Sequence, residues 1–121
     1  MPSTAPFRLP DAPAHTDLVA KYFRALGDPT RLRLLELLRE RGEVAAGELA
    51  ERLGQPQPKV SNHLACLRWC GFVDSRRQHR AVYYRLADER VAAMLDLAAG
   101  LLGDNAEHVA ACCRIPDQDQ A

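Results

Sequence analysis

The sequence predicts a mainly α protein with a small β-hairpin, folded as a winged helix-turn-helix. Three observations carry this. Apolar residues recur at helical spacing in four successive segments and again in a last one. The third and fourth segments, "AGELAERLGQPQPKVSNHLACL", read as a short apolar helix, a Gly-containing turn and a second helix with a polar N-terminal half. After them, "FVDSRRQHRAVYYRL" alternates like two strands about a basic turn.

The elements follow in order. Residues 1–16 carry Pro at positions 2, 6, 10 and 13 and no apolar core, so they are expected to be a flexible arm and not a signal peptide. From Asp17, Leu18, Val19, Tyr22, Phe23 and Leu26 mark one face of a first helix. Asp28 is the expected N-cap of a second, with Pro29 in its first turn and Gly42 at its end. Leu32, Leu34, Leu35, Leu37 and Leu38 make that helix apolar over a wide arc, hence central. The third helix, from Val44, ends at Gly54. The fourth starts near Pro56 and Pro58, ends at Gly71 and points Val60, Leu64 and Leu67 inward. A hairpin follows, with its turn near residues 78–80. The last helix, from about Asp88, has the stripe Val91, Met94, Leu95, Ala98, Leu101 and Leu102. Gly103 is expected to break it, leaving residues 104–121 as a tail with a short resumed helix and a disordered end. Residues 17–103 are then one winged helix-turn-helix domain.

Bulk properties narrow the function. At 47% hydrophobic and 26% charged, the chain has the composition of an ordinary globular domain. No apolar run approaches the roughly 20 residues that cross a bilayer, so a cytoplasmic protein with no membrane partner is expected. Net charge is zero, but it is unevenly spread. From Gln57 to Arg85, six basic residues (Lys59, Arg68, Arg76, Arg77, Arg80, Arg85) stand against one acid, Asp74. That stretch carries +5 and the remainder −5, the footprint of a DNA-binding surface on a neutral protein.

Gln57, Lys59, Ser61, Asn62 and His63 lie off the inward stripe of the fourth helix, near its N-terminus. In this motif that end meets base edges and phosphates of double-stranded DNA. Arg76, Arg77, His79 and Arg80 on the hairpin are placed to contact phosphates or a minor groove, adding affinity more than sequence choice. No Gly-rich phosphate loop, nucleophile–base spacing or paired acids mark an enzyme, and no small organic substrate is expected.

The chain has four cysteines, Cys66, Cys70, Cys112 and Cys113. In a reducing compartment two such pairs point to metal or redox chemistry before a disulfide framework.

Three segments, "ALGDPTRLRLLELL", "ELAERLGQPQPKVSNHLACLRWCGFV" and "AVYYRL", resemble the ArsR/SmtB family of bacterial metal-responsive repressors. The resemblance covers residues 17–102. It implies a homodimer built on the first and last helices, with Leu18, Tyr22, Phe23, Met94, Leu95, Leu101 and Leu102 at the interface. It also implies a palindromic operator that is released when metal binds. One metal-site class in the family uses thiols at the start of the third helix, where Ala45 and Gly47 stand here. Another uses Asp/His pairs on the last helix, where Asp96 has no His two residues on. A third, the cadmium/lead sensors, carries two cysteines in the recognition helix, and "NHLACLRWCG" is similar to that pattern at each fixed position. In that class a third thiolate comes from the partner subunit's C-terminal tail. Cys112 and Cys113, 46 and 47 residues after Cys66, are the two candidates.

Helical geometry sets the first two thiols at the edge of the core. An i, i+4 pair shares one helix face with Cβ atoms about 6 Å apart, and this pair lies about 80–120° off the inward stripe. Such a pair can ligate one soft ion: Cd(II) or Pb(II) by resemblance, with Hg(II) and As(III) equally thiophilic. His108 is a candidate borderline ligand, and His15 and His79 have no metal role. The alternatives are a thiol-redox or persulfide-sensing repressor of the same fold, switched by oxidation without metal, and a constitutive DNA-binding protein whose cysteines are replaceable.

Overall fold

The computed structural model describes residues 14–117. The expected arm lies outside them up to residue 13, as does the end of the tail, 118–121. Eight elements follow in order: α1 (His15–Leu26), α2 (Pro29–Arg41), β1 (Glu43–Ala45), α3 (Ala46–Leu53), α4 (Gln57–Trp69), β2 (Val73–Gln78), β3 (Ala81–Leu86) and α5 (Glu89–Ala111). The winged helix-turn-helix is α3, α4 and the β2–β3 wing, with α2 behind them.

The caps match their sequence signals. The Asp28 side chain accepts from the Arg31 backbone N–H at 3.1 Å and Pro29 opens α2. Asp88 caps α5, accepting from the Arg90 N–H at 2.8 Å, and the Arg90 guanidinium beside it holds its carboxyl down at about 2. Helices α3 and α4 end in the same construction. Gly54 donates to the Glu51 carbonyl and Gln55 to Ala50, both at 3.1 Å. Gly71 donates to Arg68 at 3.1 Å and Phe72 to Leu67 at 2.9 Å. These are paired Schellman bonds around glycines at φ 65° and 85°, a region L side chains rarely adopt. After α4 the turn drives Phe72 straight into the core, where it is fully buried.

That core is Leu34, Leu35 and Leu38 from α2, Leu49 from α3, Val60, Leu64 and Leu67 from α4, and Phe72, Val73, Val91 and Leu95 around them. The stripe expected of α4 is fully buried; of the leucines expected of α2, Leu34, Leu35 and Leu38 are buried, while Leu32 and Leu37 pack half-buried against the core.

Four expectations are corrected. The third helix does not begin at Val44. Glu43–Ala45 is a strand, antiparallel to β3, so the hairpin is part of a three-stranded sheet in the order β1-β3-β2. Three residues are too few to show alternation, and their pairing partners lie about forty residues further on. Gly103 does not break the last helix, which runs unbroken to Ala111 and absorbs the first part of the expected tail. One glycine costs about 1 kcal/mol against alanine, too little by itself to stop a helix that continues through Asp104 and Asn105 to Ala111. His15 and Thr16, assigned to the arm, are already helical. Leu95, expected at the dimer interface, is buried in its own chain, and Met94 packs beside it. Leu18, Tyr22, Phe23, Leu101 and Leu102 remain exposed, as do Leu97 and Val109.

Phe72→Ala is expected to destabilise the fold by about 3–5 kcal/mol, and Gly71→Ala by about 1–2 kcal/mol from its left-handed backbone. Urea denaturation at fixed protein concentration measures both.

Candidate nucleic-acid interface and thiol site

Seating Val60, Leu64 and Leu67 in the core fixes the rotational phase of α4. The N-terminal turns then turn Gln57, Ser61 and Asn62 fully outward and leave Lys59 and His63 half-exposed. These side chains share one end of the helix, beside the N-terminal dipole. His63 is not loose. Arg31 on α2 donates from Nε to His63 Nδ1 at 3.1 Å and from Nη1 to the Ala25 carbonyl at 3.3 Å.

The wing separates its four candidates. Arg76 grips Glu43 on β1 through two bonds of 2.6 and 2.8 Å, donates to Gln78 at 2.7 Å and lies 4.9 Å over the Tyr83 ring. It spans the three strands as a fork-on-fork pair and stiffens the sheet. Arg77, His79 and Arg80 stand exposed on the strand end and turn. His79 makes the turn at φ 57°, where histidine is tolerated better than most non-glycine residues.

The other edge of α4 carries thiols. Cys66 is half-buried within the helix and Cys70 is its exposed C-cap, with the Cys70 N–H donating to the Cys66 carbonyl at 3.0 Å. The two thiols stand four residues apart, so they share one face of the helix. The Cys70 thiol is pushed above its ordinary value, first by loss of water on its protein side, then by the charge and hydrogen bond of Cys66. Arg31 and Lys21 oppose the rise. Cys70 also lies within electrostatic reach of Tyr22, whose ring stacks on Phe72 at 4.5 Å. The pair therefore sits where the end of α4 meets α1. Trp69, the chain's single tryptophan, is 92% exposed beside it.

Cys112 caps α5 half-buried, and Cys113 is exposed after it. Among the described residues, no three His, Cys, Asp or Glu side chains gather as a metal-binding group. The two cysteine pairs are not brought together within one chain. Asp96 is ion-paired with Arg39. His108 is exposed on the projecting part of α5.

Comparison with known proteins agrees with this arrangement. The family model for bacterial regulatory proteins of the arsR family matches residues 28–75. A probable mercury resistance operon repressor from Streptomyces lividans is 45% identical over 106 residues, covering 88% of this chain and 84% of that protein. The chain belongs to the ArsR family. The HTH-type transcriptional regulator CmtR of Mycobacterium tuberculosis is 47% identical over 77 residues, 64% of each chain. The solution structure of a homodimeric winged helix-turn-helix DNA-binding domain from Mycobacterium bovis, a possible ArsR-family regulator, superposes with a TM-score of 0.70. It is 32% identical and covers 86% of this chain and 95% of that one. This ArsR-family protein is thus a winged helix-turn-helix transcriptional repressor and not an enzyme. Its family binds DNA and homodimerises.

Sequence reasoning missed Arg31 and Glu43. Arg31 carries no periodic signal, because its partners lie 6 and 32 residues away. Glu43 becomes visible only once β1 is placed.

In a Cys112→Ser/Cys113→Ser background, Cys70 is expected to alkylate more slowly near pH 8 than an unperturbed thiol. Cys66→Ala should bring its apparent pKa down, because part of the rise comes from that neighbour. Iodoacetamide rates against pH, followed by mass spectrometry, measure both.

Proposed function

We propose that this ArsR-family repressor is a sensor of soft, thiophilic metal ions in the cytoplasm. The metal-free homodimer occupies double-stranded operator DNA and leaves it when Cd(II) or Pb(II) binds, Hg(II) and As(III) being further candidates. The observation that carries the reading is the placement of Cys66 and Cys70 four residues apart at the C-terminal end of α4, the helix whose other end carries the candidate DNA-reading side chains. The mercury resistance repressor among its relatives supports a soft ion as inducer.

Two thiols on one helix face suit a thiolate-preferring ion and not Mg(II) or Ca(II). A third ligand is Cys112 or Cys113, from a tail that moves or from the second subunit, since neither is beside Cys66 in its own chain. Gln57, Lys59, Ser61, Asn62 and His63 enter the major groove, while Arg77, His79 and Arg80 meet the backbone. Arg76, engaged by Glu43, supports them by holding the wing. Leu18, Tyr22, Phe23, Leu101 and Leu102 are covered by the partner subunit. Anchoring α4 at its thiol end tilts its reading end in both half-sites at once.

The redox alternative is weaker on one count. Oxidation proceeds through the thiolate, and the environment of Cys70 favours the neutral thiol. Metal binding displaces the proton itself, so metal affinity should rise with pH.

Fluorescence anisotropy of reduced, metal-free protein on its own promoter DNA tests the reading, titrated with Cd(II), Pb(II), Hg(II), As(III) and Zn(II). A soft ion should weaken binding roughly 30- to 150-fold, a coupling of about 2–3 kcal/mol. Cys66→Ser/Cys70→Ser should abolish the effect, and Trp69 emission should follow the same titration. Release by a mild oxidant with no response to any metal would replace this reading with the redox one. Arg77→Ala and Arg80→Ala should each weaken binding to all DNA sequences alike and reduce the log–log salt slope by about 1.

A further inference from the structure

One of the polar side chains at the reading end of α4 is already held by its own chain. Gln57, Ser61 and Asn62 are exposed, and their amides and hydroxyl can each donate or accept. His63 differs. Its Nδ1 accepts a hydrogen bond from Nε of Arg31 at 3.1 Å, across 32 residues of chain. Arg31 is itself anchored. Its backbone N–H donates to the Asp28 carboxylate at 3.1 Å, and its Nη1 donates to the Ala25 carbonyl at 3.3 Å. One residue thus ties the end of α1, the first turn of α2 and the second turn of α4.

We propose that Arg31 is a positioning residue for DNA binding: it holds the His63 ring in one orientation and one tautomer, so that Nε2–H is a ready-made donor toward operator DNA. This rests on the reading that His63 belongs to the DNA-contacting end of α4. Donor chemistry fixes the tautomer. A guanidinium only donates, so Nδ1 presents its lone pair and the single proton of the neutral ring sits on Nε2. That nitrogen is the one left for a second partner, on a ring that is half-exposed. An N–H fits phosphate oxygens and the acceptors of the major groove: N7 and O6 of guanine, N7 of adenine and O4 of thymine. It does not fit the amino groups of cytosine and adenine, which only donate. His63 therefore reads acceptors alone, beside neighbours whose amides and hydroxyl adapt.

The gain is preorganisation. A free imidazole exchanges between two tautomers and turns about two side-chain bonds, and DNA would have to select one arrangement at a cost in affinity. Here that ordering is completed on folding. Arg31 is held at its backbone by the Asp28 cap and at its side chain by the Ala25 carbonyl, so the ring is braced against a fixed point. Lysine cannot replace it. A compact ammonium lacks the planar fork that serves Ala25 and His63 at once.

The test uses full-length, reduced, metal-free protein: wild type, Arg31→Met, Arg31→Lys, His63→Ala and the Arg31→Met/His63→Ala double variant. Thermal unfolding and sedimentation check that each is folded and dimeric, and Arg31→Lys carries the comparison if Arg31→Met does not fold. In wild type, long-range 1H–15N correlation should show the His63 ring proton on Nε2. A 15N–15N coupling across the hydrogen bond should link Arg31 Nε to His63 Nδ1, both without and with operator DNA. Operator affinity should fall about ten-fold for His63→Ala and by a large part of that for Arg31→Met and Arg31→Lys. The double variant should bind no more weakly than His63→Ala, with the same log–log salt slope. A proton on Nδ1 in wild type overturns the proposal, as does operator binding at wild-type strength by His63→Ala or by both Arg31 variants. Fully additive losses overturn it too. If they come with a salt slope lower by about 1 in Arg31→Met, Arg31 is a phosphate contact in its own right. No step uses a metal, so a protein that ignores every metal ion refutes the sensor reading and leaves these measurements to decide what Arg31 does.

Discussion

The orientation of α4, and with it both groups of candidate functional side chains on that helix, depends on the seating of three side chains. Val60, Leu64 and Leu67 are fully buried against α2, α3 and Phe72, and a helix with 3.6 residues per turn then has no rotational freedom left. One arc must face outward, and it carries Gln57, Ser61 and Asn62. One edge must run along the boundary of the core, and it carries His63, Cys66 and Cys70. The outward polar arc and the thiol pair are therefore two consequences of one packing constraint.

The ends of α4 make that constraint useful. Its C-terminus closes in a Schellman turn in which Gly71 reverses the chain and Phe72 plugs the core, leaving Cys70 as a fixed cap within reach of Cys66. The same turn brings Phe72 against α1, where the Tyr22 ring stacks on it. The thiol pair thus borders a helix whose Leu18 and Phe23 are still exposed. In an ArsR-family homodimer, that face and the exposed stripe of α5 are the surfaces left to cover. The corner where Cys70 sits thus borders both α4 and the exposed face of α1.

Charge is divided between scaffold and surface. Arg76 looked like part of the basic footprint, but its fork is committed to Glu43 across the sheet and its plane to Tyr83. It sets the rigidity of the wing, and Arg77, His79 and Arg80 provide its outward polarity. Arg31 and Arg39 are likewise structural charges. One ties α1, α2 and α4 at a corner, and the other pins α5 to α2 through Asp96. That last pair occupies the acid which a metal site on the last helix would have used.

The sequence by itself determined the existence and order of the five helices, the Asp28 cap, the buried stripe of α4, the hairpin and the i, i+4 thiol pair. Each is a local matter: periodicity, a capping side chain or a glycine in a left-handed turn acts over a few residues, so its signal is contiguous. Tertiary structure alone decided what depends on distant partners. Glu43–Ala45 became a strand because β3 was there to pair with. Leu95 turned into its own core because α5 lies across β3 and α2. The helix ran past Gly103 because a single glycine's cost of about 1 kcal/mol is small against the rest of a long helix, a balance of magnitudes that a breaker rule ignores. Arg31 met His63 across 32 residues because α2 and α4 pack together, and no spacing in the chain announces that contact.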